Sequence, residues 1–306
     1  MSKVEEFEEL RSLLFAIAYR VLGSVTEAED AVQETWLRWE ATTTRPASVK
    51  SFLSAVVTRI SIDVLRSARV RREEYPGTWF PEPLVTDPYE DPARSAELAD
   101  SVSMAALVLL ERLSPLERAA FVLHEVFGYS FAEIATTLER NEATCRQLAA
   151  RARAHMSAGR PRFEADRRVA EELASRFFDA LREGDVASVR DLLAADVQMV
   201  ADGGGKAPLW GSGVFVGENL VKLLTAVAPG FLAVGLTVES HDVNGQPGAI
   251  FRDREGLVLA TWALEVLDGS IQMIRVVLNP DKLGHLGPVT DAWAVVAEAR
   301  RAQRRP

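Results

Sequence analysis

Between Tyr129 and Met156 two amphipathic segments are separated by only three residues, Glu139-Arg140-Asn141. So short a break leaves room for one tight turn between crossed helices and for little else. Ser130 and Glu133 have capping-box spacing, which predicts a helix start. Phe131, Ile134, Ala135 and Leu138 then follow at i, i+3, i+4 and i+7. Asn141 suits the N-cap of a second helix, in which Cys145, Leu148, Ala149, Ala152 and Met156 form another apolar stripe. The opposite face of that helix carries Ala143, Gln147, Ala150 and Ala154, flanked by Thr144, Arg146, Arg151 and Arg153. Small residues let such a face sink into a major groove, and Gln and Arg can read base edges or hold phosphates. A solvated arginine face is the competing explanation. The capped helix and tight turn ahead of it favour a DNA-docking helix-turn-helix.

The 306 residues suggest two domains, or three. A net charge of −9 and a pI near 5.2 argue against a general nucleic-acid coat protein, but allow a local basic face. The single cysteine, Cys145, permits no internal disulfide and fits a reducing cytoplasm. The acidic, amphipathic start MSKVEEFEEL is no signal peptide, and no uncharged apolar run approaches membrane length. The scattered histidines, 124, 155, 241 and 285, with one cysteine, make no metal cluster. Metal and cofactor are expected to be absent.

Residues 4–40 read as two helices. Leu22-Gly23-Ser24 ends the first, and Thr26 with Glu29 forms a capping box for the second. In the second, Ala28, Ala31, Val32, Thr35, Trp36 and Trp39 face a core. Asp30, Gln33, Glu34 and Leu37 lie outside, either for solubility or as a docking face for a basic partner. ATTTRPASVK (41–50) is a loop. A helix from about Val49 to Arg72 carries Arg59, Arg66, Arg69, Arg71 and Arg72 against only Asp63. The helix dipole explains part of this run, and the rest suggests a phosphate-contacting strip.

Residues 73–98 are rich in proline, acidic residues and aromatics, which predicts an extended linker. Trp79, Phe80 and Leu84 are too apolar for a mere spacer and need a dock. A helical domain follows at 99–160. Its first stripe is Val102, Ala105, Ala106, Leu109 and Leu113, and Ser114-Pro115-Leu116-Glu117 starts its next helix. Beyond a basic joint, helices at 169–181 and 185–193 precede strands at 197–201, 214–216, 231–239, 249–252, 257–267 and 270–278. Asp268-Gly269 turns the last hairpin. Helices followed by antiparallel strands indicate an α+β domain over 165–290. Residues 291–306 read as a short helix fraying into a basic tail.

DAVQETWLRW in the first helical unit and LSPLERAAFVLHEVFGYSFAEIA in the second resemble, in this order and spacing, the paired domains of extracytoplasmic-function sigma factors. Residues 165–285 resemble the SnoaL-like cone-shaped α+β domain fused to some of these proteins. Three motifs of that fused class are matched. Trp79-Phe80-Pro81-Glu82-Pro83-Leu84 stands in the linker, with Phe80 in place of leucine. Asp202-Gly203-Gly204-Gly205-Lys206 and Asn279-Pro280-Asp281-Lys282-Leu283 stand in the C-terminal domain. The resemblance implies a multidomain chain, with two all-α sigma domains, the second with the helix-turn-helix, followed by the cone. A sigma-2 domain (1–72) would bind RNA polymerase core through Asp30, Gln33, Glu34 and Leu37. Its arginine helix would lie at the −10 element of promoter DNA. The helix 142–156 would read the −35 element. Melting would fall to the loop at 41–50, which holds no aromatic to receive a flipped base.

In the C-terminal domain Asp202 and His241 are the acid/base candidates, and neither has an evident sequence partner. Asp-Gly-Gly-Gly-Lys can be read as a phosphate cradle, but lacks P-loop spacing and opens no helix. The glycines more simply allow another segment to approach the backbone. The linker is therefore expected to pack near this motif and Asn279–Leu283, and to control the spacing of the two DNA-binding units. A second reading stays open, a DNA-targeted protein whose cone is an enzyme or a sensor of an unidentified small ligand; a plain helix-turn-helix repressor is a third.

Overall fold

The computed structural model describes residues 2–85, 103–159, 167–208 and 214–303, with backbone alone at 68–73 and 158–159. The chain divides into two compact units. One comprises 1–74 with 86–160, the other 75–85 with 161–306.

The first unit is all helix. A capping box of Ser2 and Glu5 opens α1 (Lys3–Glu8), followed by α2 (Arg11–Leu22), so the single first helix expected from the sequence is two. Gly23, at φ 68°, ends α2 in the left-handed conformation. The next N-cap is Ser24, whose hydroxyl accepts from the Glu27 N–H at 3.0 Å, not the expected Thr26 with Glu29. Ser24 keeps the extended conformation a cap requires, whereas Thr26 is already inside α3 (Val25–Ala41). Of the α3 residues expected inward, Ala28, Ala31, Val32, Thr35 and Trp39 are buried and Trp36 is half-buried. They meet α2 and α4 (Val49–Glu73) around Leu14, Ile17, Leu22 and Leu53.

In α5 (Met104–Leu110) the buried face is Met104, Leu107 and Leu110, with Leu113 beyond it. The expected stripe differs: Ala105, Ala106 and Leu109 are only half-buried, and Val102 lies outside the described residues. Ser103 fixes the phase by capping at the Ala106 N–H, which turns the larger Met104 and Leu107 inward. The Ser114/Glu117 capping box starts α6 (Pro115–Phe121), which runs on into a π-type turn, Val122–Val126. The Ser130/Glu133 box then starts α7 (Phe131–Leu138). Glu139 ends it at φ 54°, and Asn141 accepts the Thr144 N–H at 2.8 Å at the head of α8 (Glu142–Gly159). Cys145, Ala149, Ala152 and Met156 are buried.

Glu133 receives both the N–H and the hydroxyl of Ser130, at 2.9 and 2.8 Å, and the N–H bond most strongly holds its carboxyl below the ordinary range. A carboxyl so lowered stabilises the fold above its unfolded pKa, and loses that contribution as pH falls through the folded value. Ser130→Ala should therefore cost about 1 kcal/mol at pH 7. Denaturant melts should show a smaller cost near pH 3, and an equal cost at both pH values would contradict this assignment.

The second unit has a six-stranded sheet in the order β2-β1-β6-β5-β4-β3. Its strands are β1 (Leu193–Asp202), β2 (Phe215–Val216), β3 (Thr237–Val243), β4 (Gln246–Arg252), β5 (Val258–Leu267) and β6 (Ser270–Val277). β1 runs parallel to β6, and every other pair is antiparallel. Helices α9 (Arg167–Glu183), α10 (Val186–Leu192) and α11 (Glu218–Ala233) share the sheet's apolar core, where Phe177, Phe178, Phe251 and Trp262 pack edge to face or tilted.

One expectation is corrected here. The strand expected over 231–239 begins only at Thr237, because α11 occupies 218–233 despite Pro229. Tertiary packing holds that helix. Gly230 lets Ala299 O and the Gln303 side chain approach to where a Cβ would be 2.8 and 2.7 Å away, and Gln303 donates to Ala226 O at 2.5 Å. The short helix expected from about Asp291 is α12 (Ala292–Gln303), and its Ala292, Val295, Val296 and Ala299 belong to the core. Residues 304–306 lie outside the described residues.

Candidate functional site

Asp202 ends β1 with no exposed surface, next to Asn279 because its carbonyl accepts the Leu278 and Asn279 N–H groups at 2.8 and 3.0 Å. Its carboxylate collects four donors. These are the Tyr75 hydroxyl at 2.5 Å, the Phe80 N–H at 2.8 Å, the Gly204 N–H at 3.1 Å and the Lys282 ammonium at 2.7 Å. Two of the four come from the linker. Burial, and then the bond to Asp202, push the Tyr75 phenol far above its ordinary pKa, so it stays a donor. Its oxygen also accepts from Asn279 Nδ2 at 2.7 Å.

The linker segment 75–85 lies along this surface. Phe80 and Leu84 are 3% and 7% exposed, which gives them the dock their apolarity demands. Lys282 also donates to Phe80 O at 2.5 Å, and its ammonium stands 4.2 Å from the Trp79 ring centroid and 4.7 Å from that of Tyr75. Pro81 and Pro83 are buried and Glu82 is half-buried. Leu84 exchanges two bonds with Asn244: its N–H reaches Asn244 Oδ1 at 3.1 Å, and its carbonyl accepts the Asn244 N–H at 2.7 Å. His285 Nε2 meets Pro83 O at 2.7 Å.

The glycine run makes this approach possible. At Gly204 (φ +56°) a Cβ would stand 2.4 Å from Asn279 Nδ2 and 2.8 Å from the Tyr75 hydroxyl, and at Gly205 (φ +70°) 3.1 Å from Pro76. Gly203 O closes the turn by accepting the Lys206 and Ala207 N–H groups. Lys206 itself pairs with Asp281 at 2.6 Å, and its carbonyl accepts the Trp293 indole N–H. Pro280 begins the short turn that presents Lys282, and Leu283 is fully buried. Tyr75, Asn244 and His285 were not singled out in the sequence. Asn244-Gly245, both at positive φ between β3 and β4, is a hairpin signal that marks the Asn244 contact.

Asp202 and His241, the acid/base candidates, do not meet. Asp202 is occupied by the linker, and His241 is exposed on the edge strand β3, 3.8 Å from Glu239. Among the described residues no group of histidine, cysteine, aspartate and glutamate side chains could hold a metal ion, and no helix is long and apolar enough to cross a membrane.

On α8, Ala143, Arg146, Gln147, Arg151 and Arg153 are exposed and Thr144 is half-buried. Arg146 is paired with Glu142 and lies 5.1 Å from the Phe131 ring, and Arg153 is paired with Glu125. On α3, Asp30, Gln33 and Leu37 are exposed, Leu37 to 51%, while Glu34 is bonded to Arg38. On α4, Arg66 is exposed beside Asp63, and the side chains of Arg69, Arg71 and Arg72 lie outside the described residues. Arg59 is turned to another use. Its guanidinium caps α7, donating to Thr136 O and Thr137 O at 2.8 Å each, with Glu139 at 3.5 Å. A helix C-terminus leaves such carbonyls open, and a planar fork matches two of them at once.

Comparison with known proteins agrees with this anatomy. The family model for Sigma-70 region 2 matches residues 7–71, and that for Sigma-70 region 4 matches residues 103–156. The chain is 39% identical to the ECF RNA polymerase sigma factor SigJ of Mycobacterium tuberculosis, covering 92% of this chain and 93% of SigJ. It is 30% identical to the probable ECF RNA polymerase sigma factor SigI of the same species, covering 90% and 93%. The crystal structure of M. tuberculosis SigJ superposes with a TM-score of 0.69, at 36% identity, over 92% of this chain and 98% of that one. With both sigma regions in order, a linker anchored in the C-terminal unit, and relatives of this identity along nearly its full length, the chain belongs to the extracytoplasmic-function sigma factors of RNA polymerase.

Proposed function

We propose that this sigma factor joins RNA polymerase core, directs initiation at its own class of promoter, and is regulated in cis through its linker. The occupied carboxylate of Asp202 carries the regulatory part of this reading. The α3 face of Asp30, Gln33, Glu34 and Leu37 is assigned to the polymerase core. Arg66 with the rest of the α4 arginine run is assigned to the −10 element, and the outer face of α8 to the −35 element. Arg59 belongs to the same strip, but must release Thr136 and Thr137 before it can meet a phosphate.

Residues 75–85 connect the two sigma regions, so whatever holds them limits how far those regions can separate. A linker bound through Asp202, Lys282 and Asn244 is short and stiff, and a released one is longer and flexible. In vitro transcription with purified core polymerase and the full chain tests the sigma role, and absence of promoter-specific starts would sink it. Trp79→Ala combined with Leu84→Ala tests the linker. Promoter output should change severalfold, by analogy with the 1–3 kcal/mol typical of coupled sites, while circular dichroism stays unchanged. Unaltered output from a folded double variant would remove the regulatory role.

A further inference from the structure

The six-residue helix α1 is too short to persist alone, and the contacts that hold it also hold the loop 41–50. Phe7 is buried and meets the Trp36 ring edge to face at 5.2 Å, and the buried Trp39 donates its indole N–H to Lys3 O at 3.0 Å. In return the Lys3 ammonium donates to the carbonyls of Trp39, Glu40 and Thr42, at 3.1, 2.9 and 2.5 Å. Those of Trp39 and Glu40 are among the acceptors a helix leaves open at its C-terminus, and a cation there also meets the negative end of the dipole. Further along α1, Glu6 pairs with Arg45 in the middle of the loop. The far end of the loop is fixed by Ser48, whose hydroxyl accepts the Ser51 N–H at 3.2 Å at the head of α4.

The two partners of the Glu6–Arg45 pair differ. The Glu6 side chain is 8% exposed and its Oε2 has no hydrogen-bond partner among the described residues, so its charge depends on Arg45. The Arg45 side chain is 71% exposed, so the tether leaves most of it open. From Thr43 to Ala47 only Pro46 is even half-buried, so the loop supplies no core of its own. It joins α3, assigned to the polymerase core, to α4, whose arginine run is assigned to the −10 element, and the resemblance drawn from the sequence gives it the melting of the promoter. It has no aromatic ring to receive a base, so a phosphate contact by a held guanidinium is the chemistry it offers. We propose that Lys3 and Glu6 are positioning residues for strand opening, which fix the loop in one shape and aim Arg45 outward at a phosphate of the separated strand. This inference rests on the sigma role proposed above. Unstacking the duplex is unfavourable in itself. A loop that had to be ordered at the same moment would add its own lost entropy, and a loop fixed beforehand adds little.

The test is transcription in vitro with core polymerase and the full chain, on a promoter from which the wild type initiates. Two templates are compared, the intact duplex and the same promoter with noncomplementary strands from the −10 element to the start site. Lys3→Met and Glu6→Met keep the length of each side chain and remove its charge. Each should lower starts on the duplex about tenfold, the loss of one charge-assisted bond, and leave starts on the premelted template within about twofold of the wild type. Permanganate reactivity of unpaired thymines on the duplex template should fall in parallel. The inference is overturned if either variant starts on the duplex as well as the wild type. It is equally overturned if starts on the premelted template fall as far as those on the duplex, which would make α1 a support of the fold or of core docking. Absence of wild-type starts on both templates would overturn the sigma role, and this inference with it.

Discussion

Asp202→Ala should destabilise the C-terminal unit by about 3–5 kcal/mol, the range for breaking a buried ion pair from one side. The carboxylate is wholly buried and faces the Lys282 ammonium, itself nearly buried, at 2.7 Å. It also accepts from Tyr75, Phe80 and Gly204, so one substitution strips four donors of their acceptor. Urea unfolding of the full chain measures the loss, and limited proteolysis within 75–85 reports whether the linker has come free. Asp202→Asn keeps the shape and removes the charge. It should fall between the wild type and alanine in stability, since an amide still accepts at one oxygen but cannot answer Lys282. A cost below about 1 kcal/mol for the alanine variant would place Asp202 among ordinary hydrogen-bonding residues and remove it from the centre of the linker contact.

The second large effect is expected at Arg118. This α6 residue is 1% exposed, is paired with Glu111, and donates to the carbonyl of Arg20 in α2 at 3.2 Å. It therefore ties the region-4 helices to the region-2 helices inside the first unit. Nearby, the Tyr129 hydroxyl donates to Ser54 Oγ at 2.6 Å, also buried, and Arg59 caps α7 from a more exposed position. Arg118→Ala leaves Glu111 and the Arg20 carbonyl without this donor, and should cost about 3 kcal/mol. Heat capacity scans should then resolve two helical transitions where the wild type shows one. Arg118→Lys keeps a charge but loses the planar fork, and should recover only part of the loss. A single transition in a destabilised Arg118→Ala chain would show that the two sets of helices share one cooperative core without it.

The helix-turn-helix was legible because each of its signals is local. Ser130, Glu133 and Asn141 act on backbone groups within three residues, and the three-residue break permits little else. The docking of Trp79-Phe80-Pro81-Glu82-Pro83-Leu84 was legible in a different way, as an apolar stretch with no partner of its own. What could not be read locally was supplied by distant residues. Helix 218–233 continues through Pro229 because Gln303 and Ala299 pack against it, and neither is visible from a window around the proline. Arg59 was counted with the phosphate-binding arginines from its neighbours on α4, but its bonds go to α7, a helix some 77 residues later in the chain. Asn244 and His285 hold the linker from segments that carry no sequence signature of that task beyond a hairpin turn.

The backbone crosses between the two units at 74/75, again at 85/86, and finally at 160/161. The order of synthesis thereby acquires a meaning. Phe80 and Leu84 emerge from the ribosome roughly 200 residues before Leu283 completes the surface that covers them. At bacterial elongation rates that interval is about 10–40 s. In its later part, once the chain has passed residue 160, both DNA-binding modules exist, joined by a segment whose apolar side chains have nowhere to go. Each newborn molecule thus passes through a stage with its tether unfastened, and a message truncated before Lys282 yields chains that never leave it.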